Sequence, residues 1–258
     1  MKNRTGLVSV SFRALSCEEI IEITASAGLD GIEWGSDVHV PPKDPGHAKN
    51  VAGATRAAGL AVTSYGSYYR AGAYGENYRA EFAALLDTAL ILGAPVIRVW
   101  AGETGSRDTP DEKRARLVAE TQEIADMAAE KKIRVAFECH NGTLTDEYHS
   151  SVRLMREIGR ANVRMYWQPD ERRDFSYNLE ALEAILPYLE TVHVFHWPEP
   201  GVRLPLADGA EVWPKYFETI AAADKTPAYL LEFMPDDDPA SLPREARTLR
   251  RFLSGAVR

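Results

Sequence analysis

Four residues that close short apolar runs carry the chemistry this sequence offers. Ile133-Arg134-Val135-Ala136-Phe137-Glu138 and Ala228-Tyr229-Leu230-Leu231-Glu232 both end on a carboxylate. Val163-Arg164-Met165-Tyr166-Trp167-Gln168 ends on an amide, and Val192-His193-Val194 sets an imidazole between two valines. If each run is a strand, alternation turns Ile133, Val135 and Phe137 one way and Ala136 and Glu138 the other. A lone strand-end Glu is ordinarily a helix cap or surface partner, and a lone His a hydrogen-bonded structural residue. Convergence changes that reading, because two carboxylates facing one narrow space cannot both stay ionised without a compensating cation. Oxygen donors with one imidazole suit Mn²⁺, Mg²⁺ or Co²⁺, with Zn²⁺ also admissible. Glu138, Gln168, His193 and Glu232 are therefore the candidate ligands of a single divalent metal ion.

Convergence needs a scaffold. Apolar, β-branched runs return at even spacing over residues 7–12, 31–34, 61–65, 96–100, 133–138, 163–168, 192–196 and 228–233, each followed by a stretch of helical period. Ser16-Cys17-Glu18-Glu19 is a capping box, Ile20, Ile21 and Ile23 supply an apolar stripe, and Gly28 ends that helix. Thr109-Pro110-Asp111-Glu112 opens another, with Pro at its first position and acids on the positive end of the dipole, and it runs to about Lys132. Further helices are predicted near 76–92, 145–158, 179–189, 213–223 and 239–253. No linker or low-complexity tract breaks the rhythm. Eight strand–helix repeats predict an α/β protein, a single (β/α)8 TIM barrel forming one domain over residues 1–258. An open doubly wound sheet would want a Gly-rich phosphate loop after its first strand, and Ser11-Phe12-Arg13-Ala14-Leu15 is not one. In such barrels the active site lies at the carboxyl ends of the strands, where the four residues fall.

Composition narrows the function classes. With 30 Lys+Arg against 38 Asp+Glu the 258-residue chain carries a net charge of −8, which repels nucleic acid and anionic membrane. No run approaches the roughly 18–20 apolar residues needed to cross a bilayer. Met1-Lys2-Asn3-Arg4-Thr5-Gly6-Leu7-Val8 leads straight into a strand-like segment, leaving no room for a signal peptide's apolar region. Cys17 and Cys139 cannot make a disulfide framework and suit a reducing cytoplasm. A cytoplasmic small-molecule enzyme is the remaining class.

With those residues in place the whole chain resembles the xylose isomerase-like TIM-barrel superfamily of sugar isomerases and epimerases, which also holds the AP endonuclease IV branch. The resemblance implies one divalent metal held by Glu, Asp, His and Glu from the last four strands. Phe137-Glu138-Cys139-His140 matches the first ligand and Leu230-Leu231-Glu232-Phe233 the fourth. Val192-His193-Val194-Phe195-His196 is similar to the family's His-x-x-Asp strand, with His196 in the Asp place. His196-Trp197-Pro198-Glu199 fits a His-x-x-Glu pattern as well, so His196 is the alternative ligand; His193 is preferred because it turns Val192 and Val194 outward. Gln168 stands where the family usually carries Asp, so the site loses a charge and holds a metal less tightly. Arg203-Leu204-Pro205-Leu206-Ala207-Asp208-Gly209, followed by Trp213, is similar to the epimerases' Arg-x-Pro-Gly-x-Gly loop, whose Arg contacts substrate oxygens. Gly31-Ile32-Glu33-Trp34 resembles their second strand.

The implied partner is a small sugar or sugar derivative. Glu138 and Glu232 are the catalytic pair, moving a proton on opposite sides of an enediolate. Substrate contacts are expected from His39, Tyr65, Arg70, Trp100, His140, His196 and Arg203, inside an aromatic lining of Trp34, Tyr65, Trp100, Trp167, Phe195 and Trp197. Exposed Tyr68, Tyr69 and Tyr74 suggest a homo-oligomeric interface. The alternative outcome of the same chemistry is a lyase or dehydratase that expels a β-leaving group from a keto-sugar. A non-catalytic sugar-binding barrel and an AP endonuclease rank below both, the latter because its trinuclear zinc site needs more than this chain's six His supply.

Overall fold

The structure, a computed structural model, describes residues 4–256. Met1, Lys2 and Asn3, on which part of the signal-peptide expectation falls, lie outside the described residues. Eight parallel strands close into a barrel in sequence order: β1 (Arg4–Val8), β2 (Gly31–Gly35), β3 (Ala61–Arg70), β4 (Val96–Trp100), β5 (Arg134–Glu138), β6 (Val163–Trp167), β7 (Leu189–Val194) and β8 (Ala228–Leu231). β1 pairs with β8 to close the ring. The helices between them are α1 (Cys17–Ser26), α2 (Pro45–Ala57), α3 (Tyr78–Leu92), α4 (Asp111–Glu130), α5 (Tyr148–Ile158), α6 (Phe175–Ile185), α7 (Trp213–Ala222) and α8 (Leu242–Gly255). The protein is a (β/α)8 TIM barrel, as the repeat pattern predicts. No helix among the described residues is long and apolar enough to cross a membrane.

Local chemistry explains the boundaries. The Ser16–Glu19 capping box forms as read, and α1 buries Cys17, Ile20, Ile21 and Thr24, a stripe at helical spacing. Pro110 is the N-cap of α4 and not its first residue, so the helix starts at Asp111. α5 starts at Tyr148, three residues later than the pattern suggests, because Glu147 accepts from the amides of His149 and Ser150. α6 lies earlier than expected: Asp174 caps it by accepting from the Tyr177 amide, and Leu189 already belongs to β7. The sequence reading did not single out α2, whose buried stripe is the weakly apolar set Ala48, Val51, Ala52 and Thr55. The first strand ends at Val8, and Ser9–Phe12 coils into a 3-10 turn.

Alternation divides the barrel wall. Ile32, Trp34, Ile97, Val99, Val135, Phe137, Met165, Trp167, Val192, Val194, Tyr229 and Leu231 pack with the helices in one continuous core. Inside the barrel, Val96, Ala136 and Tyr166 form one separate apolar cluster, and Val8, Val10 and Leu230 another. Above them lies a polar layer: Glu33, Ser64, Arg98, Glu138 and His193, each no more than 3% exposed. That layer is the foundation of the site.

Candidate active site

Glu138 ends β5, Glu232 directly follows β8, His193 sits on β7, and Gln168 directly follows β6. Their inward direction follows from the outward packing of their chain neighbours. Oxygens or nitrogens of Glu138, His193 and Glu232 all lie within 4.8 Å of one another. The geometry centres on Nδ1 of His193. Gln168 Oε1 is 2.9 Å from it, Glu232 Oε2 3.4 Å and Glu138 Oε1 3.6 Å. Donors bonded at about 2.1 Å to one ion stand roughly 3.0–3.5 Å apart for octahedral or tetrahedral angles, so this donor set fits a divalent cation. His196 is not part of the cluster; its backbone pairs with Leu204, and burial pushes its imidazole's pKa down.

The two carboxylates are treated unequally. The Arg98 guanidinium bonds Glu138 Oε2, and Trp100 Nε1 donates to the same oxygen at 2.5 Å. Burial would raise the Glu138 carboxyl, but Arg98 and His193 outweigh it and hold the group well below the usual carboxylate range. Among the described residues no guanidinium is bonded to Glu232, and its carboxyl is raised to about 7 by burial, with Glu138 and Glu33 adding to the rise against His193 and Arg98. The neighbouring carboxylates raise His193 to about 10, against burial that would lower it. Arg98 and His193 thus favour the ionised form of Glu138, while burial and the neighbouring carboxylates favour the protonated form of Glu232.

A third carboxylate, which sequence reasoning did not place in the site, completes the charge pattern. Glu33 accepts from Ser64 Oγ (2.7 Å), Tyr166 Oη (2.9 Å) and Arg98 Nε (3.0 Å). Burial opposes its ionisation, yet Arg98 holds its carboxyl down at about 2. The signal was present: Glu33 between Ile32 and Trp34, and Arg98 between Ile97 and Val99, must point inward by the rule that turned Glu138 inward.

The cleft above these residues, about 160 Å³, has Glu138, Gln168 and Glu232 among its lining, with His140, Phe195, Trp197 and Phe233 on its walls. Asp146, Asp170 and Glu171 also line it, and no Lys or Arg does among the described residues. His140 stacks on Trp100 with centroids 4.3 Å apart, and its Nδ1 sits 2.8 Å from the Asn141 carbonyl. A carbonyl only accepts, so Nδ1 carries the proton in that bond and Nε2 is the nitrogen not committed to it. Arg70 lies over the other substrate candidate, Trp100, with its Nε 4.0 Å from Glu103. Arg203 packs over Trp197 and Phe233 and bonds Asp237.

Other expected contacts are not brought to the cleft. Tyr65 is fully buried outside the barrel, its hydroxyl donating to the Val40 carbonyl at 2.7 Å. His39 is buried against Trp34, 3.1 Å from the Leu15 carbonyl through Nε2. The expected aromatic lining is corrected likewise: Trp34, Tyr65 and Trp167 pack against the helices, since each neighbours an inward residue. Tyr69 is not exposed but 2% accessible, stacked on Tyr74 and bonded to Glu120, because β3 continues through it to Arg70. The loop after Glu232 is held from the far end of the sequence: Phe233, with φ 47°, donates its amide to Ser11 Oγ at 3.0 Å.

A family model described as the xylose isomerase-like TIM barrel matches residues 21–253. A 3-dehydroshikimate dehydratase of Bacillus anthracis is 25% identical over 171 residues, covering 62% of this chain and 59% of that protein. The chain therefore matches little more than half the length of that curated relative. Among solved structures, a probable 3-DHS dehydratase involved in petrobactin synthesis from Bacillus anthracis superposes with a TM-score of 0.80 at 18% identity, covering 96% of this chain and 99% of that one. An L-ribulose 3-epimerase gives 0.78 at 16%, covering 99% and 96%. A xylose isomerase-like TIM barrel protein from Mycobacterium smegmatis in complex with magnesium gives 0.76 at 14%, covering 100% and 98%. At these identities the structures speak for the fold alone.

Proposed function

The chain belongs to the xylose isomerase-like TIM-barrel family, and we propose that it is a divalent-metal-dependent lyase acting on a small polyhydroxylated ketone. The observation that carries this reading is the inequality of the two carboxylates. Glu232, which no guanidinium among the described residues binds, keeps a carboxylate oxygen free to take the proton on the carbon next to a carbonyl. Glu138, held by Arg98 and Trp100, is too weak a base to share that task evenly. A two-base epimerisation needs two groups of similar proton affinity, whereas elimination needs one base and an acid for the leaving group.

When bound by Glu138, Gln168, His193 and Glu232, a divalent cation supplies Lewis-acid polarisation of the substrate carbonyl. Glu232 takes the α-proton as the C–H bond breaks and its electron pair moves toward the carbonyl oxygen. The returning pair forms the carbon–carbon double bond as the β-carbon–oxygen bond breaks, and His140 gives the departing hydroxyl the proton that makes it water. Asp146, which accepts from the Ser106 amide, Asp170, which is paired with Arg172, and Glu171 line the cleft and offer acceptors to substrate hydroxyl groups. The dehydratase relative supports elimination, as a likeness over part of its length.

The isomerase/epimerase reading implied by the resemblance keeps one specific support: Glu138 Oε1, the oxygen not bonded by Arg98 or Trp100, faces the same Nδ1 as Glu232. Incubation of the Mn²⁺-loaded protein with neutral ketoses and cyclic keto-polyols in deuterated water separates the two. Elimination gives a product lighter by one water with the absorbance of a conjugated ketone. A product of unchanged formula carrying solvent deuterium would overturn it in favour of isomerisation.

A further inference from the structure

Arg98 is the one guanidinium among the described residues bonded to the buried carboxylates of the barrel interior, and it is shared. Its Nε is 3.0 Å from Glu33 Oε1, and its other arm reaches Glu138. The same Glu33 Oε1 lies 3.8 Å from Nε2 of His193, a fully buried nitrogen with no hydrogen-bond partner. A histidine that binds a cation through one nitrogen commonly presents the other to a carboxylate, which fixes ring orientation and tautomer. Glu33 Oε2 is occupied by Ser64 and Tyr166, so Oε1 is the oxygen directed at both Arg98 and His193. The fold keeps space for this arrangement. A Cβ on Gly66 would sit 2.6 Å from Glu33 Oε1 and 3.0 Å from an Arg98 nitrogen.

We propose that Glu33 is a positioning residue of the site: through one oxygen it draws Arg98 off full engagement with Glu138 and backs His193 Nε2, leaving Nδ1 and Glu138 Oε1 free for the cation. With a cation bound, His193 as a ligand is neutral and Glu232 ionised, so the carboxylates of Glu33, Glu138 and Glu232 against one guanidinium leave two negative charges, matched by one divalent ion. Without Glu33, Arg98 turns wholly to the ligand carboxylates and competes with the cation. The inference rests on reading Glu138, Gln168, His193 and Glu232 as a cation site.

The test is titration of metal-stripped protein with Mn²⁺ by calorimetry and with Co²⁺ by absorption. Glu33→Gln is expected to weaken Mn²⁺ binding by about tenfold or more and to alter the Co²⁺ ligand-field bands. It should lower kcat while leaving KM within about twofold, since no contact to substrate is removed. Ser64→Ala, which loosens only the other oxygen, lowers Tm and leaves Mn²⁺ affinity unchanged. Should Glu33→Gln not fold, Gly66→Ala displaces the pair without changing charge and is expected to weaken Mn²⁺ in the same direction. Wild-type Mn²⁺ affinity and Co²⁺ bands in folded Glu33→Gln, or in Gly66→Ala where that variant does not fold, overturn the inference alone. Absence of Mn²⁺ and Co²⁺ binding by the wild-type protein overturns the cation-site reading beneath it.

Discussion

Replacing Arg98 by Met is the most direct perturbation of the buried charge layer, and its size can be worked out in advance. Methionine keeps much of the alkyl volume and removes the charge that Glu33 and Glu138, 0% and 3% exposed, share. Holding the Glu33 carboxyl at about 2 instead of its ordinary 4.5 is worth roughly 3 kcal/mol of folding free energy. Breaking a buried pair by deleting one partner typically costs about 3–5 kcal/mol, which agrees. For a chain of this size that corresponds to a fall in Tm of roughly 6–12 °C at neutral pH. The sign with pH is fixed: a depressed carboxyl stabilises the fold above its unfolded pKa of 4.5 and loses that contribution as pH falls through about 2. The gap between wild type and variant is therefore widest at neutral pH and closes in acid. Urea unfolding of both metal-free proteins, near neutrality and at about pH 3, measures it. A gap below about 1 kcal/mol at neutral pH, or one of equal size in acid, would show that Arg98 does not balance these carboxylates.

Glu232→Gln is expected to lower kcat/KM by roughly 10³ in a product assay while the metal-free protein loses no stability at neutral pH, since the substitution removes a buried carboxylate that resists ionisation. Metal-free wild-type protein should lose Tm as pH rises. Glu232, raised from 4.5 to about 7, and His193, raised from 6.5 to about 10, each stabilise fully below the lower value and cease to do so above the higher. Saturating Mn²⁺ should flatten that decline above about pH 7, and a decline unchanged by Mn²⁺ counts against the ligand set. Gln168→Asp restores a charge 2.9 Å from His193 Nδ1 and should tighten Mn²⁺ about tenfold by calorimetry; an unaltered affinity would place residue 168 outside the site.

How much of this was legible depended on distance along the chain. Alternation within one strand is local, so Glu138 and His193 could be turned inward from Val135, Phe137, Val192 and Val194 alone. The same rule, applied to Ile32-Glu33-Trp34 and Tyr65-Gly66, places Trp34 and Tyr65 against the helices, where they lie; Trp34, Tyr65 and Trp167 were expected in the lining because ring type outweighed strand parity, whereas Phe195 and Trp197 do line the cleft. Glu33 and Arg98 stood in plain view, but their partnership spans 65 residues and depends on inter-strand register. The β2–β3 pairing shifts register between Ile32 and Glu33, which no single-strand pattern announces. Helix starts misplaced by a few residues trace to side-chain caps at Glu147 and Asp174 and to Pro110 standing at the N-cap without one, where several acidic or turn residues compete for one role.

The bond from the Phe233 amide to Ser11 Oγ ties the turn after the last strand to the turn after the first, across 222 residues. Contacts of such separation carry the largest loop-closure entropy and are among the slowest to form. A chain ending at β7 would already hold Glu138, Gln168 and His193 but lack Glu232, which follows β8. On the proposed reading, the donor set is completed only when the final βα unit docks onto the opening one.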